Sequence, residues 1–180
     1  VKTAYDRLYI CPSNVDLSGA EIELVDVPDR AHRLKKALAA IKNDYDFILI
    51  DCPPSLGLVT LNALAAADTV LVPIQCEFYA LEGLALLTGT IKRVKKSINP
   101  DLEFEGILLT MFNGRANLSI QVADEVKRYF REKVYKTVIP RNIRLSEAPG
   151  FGESVLTYDS RSKGAESYRA LADEVIKYNR

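Results

Sequence analysis

An α/β fold is predicted for this 180-residue chain: a doubly wound, mostly parallel sheet with helices on both faces. Three observations carry the prediction. Short apolar runs recur without polar alternation, as in strands covered on both sides. Helical patterns of ten or more residues separate them, which implies crossover connections and parallel pairing. Polar and turn residues follow the runs at the carboxyl ends, where such sheets bind ligands.

The strand runs are "RLYIC" (7–11), "FILID" (47–51), "TVLVPI" (69–74) and "EGILLTMF" (105–112), and "TVIP" (137–140) reads as a short edge strand. Asp51, "PIQCE", "FNGR" and "PRNIR" fall at their ends. Helical patterns cover "DRAHRLKKALAAIKN" (29–43), "LVTLNALAAAD" (58–68) and about 77–98, where Leu84, Leu87, Ile91, Val94 and Ile98 make one apolar stripe. A further helix at about 117–132 carries Ile120, Ala123, Val126 and Phe130. The last, "GAESYRALADEVIKYNR", aligns Ala165, Tyr168, Leu171, Ala172, Val175 and Ile176. With no repeat, linker or low-complexity tract, residues 1–180 read as one domain.

Composition is neutral on function. Twenty-four basic residues balance twenty-four acidic ones, so any nucleic-acid contact has to come from local clustering. Cys11, Cys52 and Cys76 are odd in number and form no CxxC, against a disulfide framework, a zinc site or an iron–sulfur cluster, and a reducing cytosol fits. His32, the single histidine, excludes a multi-histidine metal site and reads as a surface residue, and Cys52 reads as a small buried side chain. No apolar run approaches the roughly 20 residues of a membrane span, and "VKTAYDRLYI" lacks the layout of a signal peptide.

Asp51 is the residue with chemistry to explain. A carboxylate at the tip of a buried strand suits Mg²⁺, a hard cation that keeps several of its waters for an acid to orient. An ordinary strand end, where an aspartate opens a turn, gives the same pattern. The sequel "CPPSLG" shifts the balance, because Pro53 and Pro54 fix φ and remove two donors. A stiffened loop beside a metal–phosphate site is suited to sensing a γ-phosphate.

The stretch "YDFILIDCPPSLGLVTLNALAAADTVLVPIQCEFYALEGL" resembles the ParA/Soj branch of the deviant Walker A ATPases, the chromosome and plasmid partition proteins. The likeness extends through "SNVDLSGAEIEL" (13–24), "LLTMFNGRANLS" (108–119) and "VIPRNIRLSEAPGFGESVLTYDSRSKGAESY" (138–168), nearly the whole chain. It implies that Asp51 is the Walker B acid, holding Mg²⁺ through water, and that the loop with Pro53 and Pro54 is the ATP switch. It also implies that Asn113 and the backbone around Pro140, Arg141 and Asn142 line an adenine pocket. Asn113 offers a donor and an acceptor to a base edge, and spacing alone fits a turn residue or helix cap equally well. The cofactors implied are ATP and Mg²⁺.

One departure stands out: the family's glycine-rich "KGGxGKT" loop and its acidic "DxDPQ" strand end are both missing from these 180 residues. The backbone donors of that loop cradle the phosphates and its lysines neutralise them. A strand–loop–helix segment preceding the match is therefore expected to be absent. The chain by itself is expected neither to hydrolyse ATP nor to bind it tightly.

Residues 115–144 hold Arg115, Lys127, Arg128, Arg131, Lys133, Lys136, Arg141 and Arg144 against Asp124, Glu125 and Glu132. Such an excess suits sequence-independent contact with DNA phosphates, and a solvated helix face suits it as well. The resemblance favours DNA, with Arg115 and Arg144 at matching positions. It further implies an ATP-bound homodimer, a ParB-type activator and a nucleoid-associated place in the cytoplasm. Two alternatives remain: a degenerate, non-enzymatic ParA-like binding module, and a MinD-like division-site ATPase. The latter would end in a basic amphipathic helix on a membrane. Here the last helix mixes Glu166, Asp173 and Glu174 with Arg169 and Lys177 on its polar face, which suits core packing and no membrane contact.

Overall fold

The computed structural model describes every residue except Pro54, Leu56 and Arg180. The chain forms two units, Val1–Asp68 with Lys92–Leu102, and Thr69–Ile91 with Glu103–Arg180.

The first unit is built around one apolar helix. Short helices α1 (Ala20–Glu23) and α2 (Arg33–Leu38) precede α3 (Leu58–Ala66), which buries Thr60, Asn62, Ala63, Leu64 and Ala65. Three side chains hold α3 along its length. Glu21 accepts from the amides of Leu58 and Val59 at its start. Asn62 accepts from Leu34 N and donates to Arg30 O and Leu58 O. Asn99 donates to the carbonyls of Leu64 and Ala67 at its end. A helix this apolar exposes few polar atoms of its own, so neighbouring segments satisfy its termini.

Three of the elements expected in this unit do not form as predicted. Residues 47–51 join no ladder among the described residues, and Leu49 is 88% exposed. Residues 7–11 contribute only an isolated antiparallel bridge, Tyr9 to Lys2. Both apolar runs have the composition of interior strands, yet such a strand needs hydrogen-bonded neighbours, and among the described residues none pairs with 47–51. The pattern at 29–43 breaks into a 3₁₀ turn at Arg30–His32, then α2, then a second 3₁₀ turn at Lys42–Asp44. Asp29 is left-handed at φ 58°, and its carboxylate takes His32 Nδ1 at 2.6 Å and Lys36 Nζ at 2.5 Å. These two contacts hold its carboxyl below the usual range, Lys36 first and then His32. His32 is thus a half-buried bridge, with Nε2 3.2 Å from Ile98 O, and no simple surface residue.

The second unit is a three-stranded parallel sheet in the order β1 (Thr69–Gln75), β2 (Glu103–Phe112), β3 (Val134–Pro140). The crossovers run through α4 (Ala80–Ser97), whose residues from Lys92 onward count with the first unit, and α5 (Asn117–Phe130). Short α6 (Ile143–Glu147) and α7 (Val155–Tyr158) lead into α8 (Lys163–Tyr178), capped by Ser162 Oγ on Ala165 N. The predicted edge strand at 137–140 is longer, because "VYK" joins it.

Ile107 and Leu109 are fully buried and Leu108 nearly so. Neighbouring strand residues point to opposite faces, so both faces of β2 are covered. On one face, Leu108, Tyr135 and Ile139 pack with Leu71, Leu145, Leu171 and Val175. Leu171 and Val175 of the α8 stripe thus pack on the sheet, whereas Tyr168, Ala172 and Ile176 stay exposed. Among the described residues no helix is long and apolar enough to cross a membrane.

The edge of β3 is blunted by α8. Glu174 accepts from Lys136 N at 2.8 Å and Thr137 N at 2.9 Å. A bulge between Val70 and Leu71 frees Glu105 from the register. Its carboxylate collects Thr69 Oγ1 (2.5 Å), Tyr135 OH (2.6 Å) and Asn179 Nδ2 (3.0 Å). Burial pushes the Glu105 carboxyl up, but these three donors together hold it below the usual range. Tyr135 shifts the opposite way: burial, then the Glu105 carboxylate, raises its phenol strongly.

Candidate functional site

The carboxyl ends of the three strands enclose a cavity of about 140 Å³, lined by Cys76, Glu77, Met111, Asn113, Ser119 and Arg141 among others. That is well below the roughly 300–1,000 Å³ of a site for a drug-sized ligand, and it suits one ring system. Each strand contributes. Cys76 and Glu77 follow β1, Met111 and Asn113 close β2, and Arg141 follows Pro140 at the end of β3.

The backbone here is shaped with some strain. Met111 sits at φ 53° inside β2, where the β2–β3 register shifts between Leu109 and Phe112. A left-handed non-glycine residue costs on the order of 1–3 kcal/mol, and such outliers cluster at functional sites. Beyond it, Phe112 O accepts from Arg141 N at 3.0 Å, tying β3's end to β2's. Asn113 N donates to the buried Ser119 Oγ at 3.0 Å, fixing the start of α5 against the strand end.

Of the readings that spacing left open, Asn113 makes the turn. Its Oδ1 accepts from Arg115 N at 3.1 Å, which makes the turn. Its Nδ2 has no partner among the described residues and is exposed beside the cavity. Arg141 pairs with Glu77 at 2.7 Å across the cavity rim. Both side chains are about half exposed, so the pair contributes at most about 1 kcal/mol and opens readily. Burial pushes the Cys76 thiol up, partly offset by its hydrogen bond with Ser119. Asn142 does not line the cavity; its Oδ1 caps α6 through Arg144 N at 2.9 Å. Cys76, Glu77, Met111 and Ser119 escaped the sequence reading, although "PIQCE" at a strand end marked where the first two would lie.

Asp51 belongs to the first unit, is exposed, and makes no hydrogen bond among the described residues. No cluster of three or more metal-ligating side chains occurs among them. A lone, free carboxylate fits a hydrated Mg²⁺ held through water and does not fit a cage built of protein oxygens. Cys52 is exposed, against the expectation of burial, because the extended segment before it is itself uncovered. Pro53 is exposed beside it, and Pro54 lies outside the described residues.

The basic run does not form one patch. Arg115 and Arg144 follow the carboxyl ends of β2 and β3, whereas Lys133 and Lys136 lie at the start of β3. A strand of that length separates them by roughly 20 Å. Arg115 is exposed and its guanidinium has no partner among the described residues. Arg144 is paired twice, with Glu147 at 2.8 Å and Asp159 at 3.3 Å.

Comparison with known proteins gives this geometry a family. Residues 1–104 match the model of an AAA domain. The chain is 59% identical over 173 residues to the sporulation initiation inhibitor protein Soj of Bacillus subtilis, covering 96% of this chain and 68% of that protein. It is 58% identical to the chromosome partitioning protein ParA of Myxococcus xanthus, covering 94% of this chain and 60% of the relative. Cobyrinic acid a,c-diamide synthase from Mycobacterium smegmatis, solved with bound ADP and magnesium, superposes at TM-score 0.77 with 38% identity, over 93% of this chain and 61% of that one. The cell division ATPase MinD of Pyrococcus furiosus gives 0.67 at 26% identity, over 82% and 58%. These 180 residues thus span about three fifths to two thirds of each relative's length. On the identity and coverage of its match to Soj and ParA, the chain belongs to the ParA/Soj family of chromosome-partitioning ATPases.

Proposed function

We propose that the protein is a Mg-ATP-dependent partition ATPase that dimerises on ATP, binds DNA without sequence preference and is released by a ParB-type activator. The observation that supports it most is the cavity at the carboxyl ends of β1, β2 and β3, with the free Asn113 amide beside it. Asn113 and the backbone at Arg141 would hold the base, and the Arg141 side chain would leave Glu77 as the base enters. Mg²⁺ supplies charge neutralisation on the phosphates when bound. Asp51 would orient the metal's waters, and the loop with Pro53 and Pro54 would sense the phosphate. These 180 residues contain no glycine-rich phosphate loop, so turnover would need a cradle supplied from outside them.

DNA contact is assigned to Arg115, whose guanidinium is free, with Arg144 joining once it leaves Glu147 and Asp159. The test uses the protein from the complete reading frame. Mg-ATP should switch on DNA binding whose log affinity falls linearly with log salt, and Arg115→Gln should flatten that slope by about one. Asp51→Ala should abolish hydrolysis. DNA binding that ignores Mg-ATP, with no turnover, would refute this reading in favour of a non-enzymatic binding module.

A further inference from the structure

The motif "SNVDLSGAEIEL" has no part in the function proposed so far, yet it makes a specific contact with the loop that follows Asp51. Helix α3 begins at Leu58, and its N-cap, Gly57, has no side chain to satisfy the first amides. Glu21, far away in sequence, does so. Its Oε2 accepts from Leu58 N at 2.6 Å and its Oε1 from Val59 N at 3.0 Å. A full negative charge thus sits on the positive end of the helix, and two of the four unsatisfied donors there are satisfied.

Gly57 shows how closely the pieces fit. Its φ of −75° and ψ of −175° are open to any residue, so the glycine is not there for its backbone. A Cβ at this position would collide with the Glu21 carboxylate. An added methyl would displace that carboxylate, the flexible end of the Glu21 side chain, from the two amides. Glu21 is placed in turn by the 3₁₀ turn Val15–Gly19, started by Asn14 Oδ1 on Asp16 N at 3.1 Å.

We infer that Glu21 is a positioning residue that clamps the carboxyl end of the Asp51–Gly57 loop. The inference rests on the proposed ATPase function for its kinetic consequence, and on geometry alone for the clamp. With Gly57 pinned against Glu21, a change at Asp51 is transmitted within the loop and is not absorbed by fraying of α3.

The test compares Glu21→Ala, Glu21→Gln, Gly57→Ala and the double variant Glu21→Ala/Gly57→Ala in the protein from the complete reading frame. Amide exchange at Leu58 and Val59 should rise at least about tenfold in Glu21→Ala, and by more than the accompanying loss of global stability accounts for. The kcat for Mg-ATP hydrolysis should fall about tenfold with KM within about threefold, because the loop and not the base pocket is affected. Glu21→Gln keeps one of the two acceptor oxygens and should recover about half of both. Gly57→Ala should reproduce Glu21→Ala, and the double variant should be no worse than either, since removing the carboxylate makes room for the added methyl.

Wild-type exchange at Leu58 and Val59 in Glu21→Ala would overturn the clamp. So would a kcat loss that vanishes once corrected for the folded fraction, or a Gly57→Ala protein indistinguishable from wild type. A complete wild-type protein without turnover would refute the ATPase reading instead, and the exchange data would still decide the clamp.

Discussion

Glu174→Ala is the sharpest test of how α8 is held. The carboxylate accepts from Lys136 N and Thr137 N on the edge of β3 facing away from β2, and from Tyr178 OH at 3.2 Å. Water reaches Lys136 N when the carboxylate is removed, so that bond costs about 0.5–1 kcal/mol; the part-buried Thr137 N is left poorly satisfied and costs about 1–2 kcal/mol. A loss of about 2 kcal/mol is expected in urea unfolding of the chain followed by far-UV circular dichroism, with about half of it restored in Glu174→Gln. Burial pushes the Glu174 carboxyl up, but the donors of Lys136, Thr137 and Tyr178 hold it below its ordinary 4.5. A carboxyl lowered in the folded state stabilises above its unfolded value, and that stability is lost as pH falls through the folded value. Stability should therefore be flat from about pH 7 to about pH 5 and decline below about 4.5, less steeply in Glu174→Gln. Glu105, lowered as well, keeps part of the slope in that variant. A loss under about 0.5 kcal/mol, or an acid limb unchanged by Glu174→Gln, would refute the reasoning.

Three further outcomes follow from the same structure. Tyr135→Phe removes the hydroxyl donated to Glu105 at 2.6 Å and should cost about 1 kcal/mol in urea unfolding, with the aromatic packing kept. At Met111, glycine should be more stable than alanine by about 1 kcal/mol, the reverse of the usual order, because φ is 53° there; equal stabilities by thermal melting would count against strain. Asn113→Ala in the complete protein should weaken ATP binding about tenfold by calorimetry, the loss of about one hydrogen bond, and Asn113→Asp should do the same while keeping the turn to Arg115 N.

The sheet was legible wherever an apolar run also had a partner. "TVLVPI" and "EGILLTMF" became β1 and β2, and the α4 stripe became buried surface with Leu84 and Ile91 in the core, while of the α8 stripe Leu171 and Val175 pack against the Leu108 cluster. "FILID" has the same composition and no ladder, because periodicity reports burial tendency and not whether a neighbour supplies the hydrogen bonds. At the candidate site, strand ends located Asn113 and Arg141, but not Met111. A left-handed methionine has no sequence signature, since its conformation is imposed by the shift in β2–β3 register. The basic run misled in a different way. Sequence proximity placed eight cations together, and a parallel strand with one end at Val134 and the other at Pro140 carried them apart.

The loop from Asp51 to Gly57 is held unequally at its two ends, and that asymmetry links the motifs into a mechanism. At Gly57 the chain is fixed by a carboxylate with two short hydrogen bonds, and by Asn62 one turn further on. At Asp51 the carboxylate has no partner among the described residues, and the preceding segment contributes no ladder. An ion bound at Asp51 would therefore order the end that the protein leaves without contacts, while the other end provides the reference against which movement is read. A ligand shifts a conformational equilibrium only through differential contacts with its two states, and a loop already satisfied at both ends would offer none. On the proposed function, Glu21 would set where the loop finishes, and a metal held through water at Asp51 would act on the end that has no contacts among the described residues.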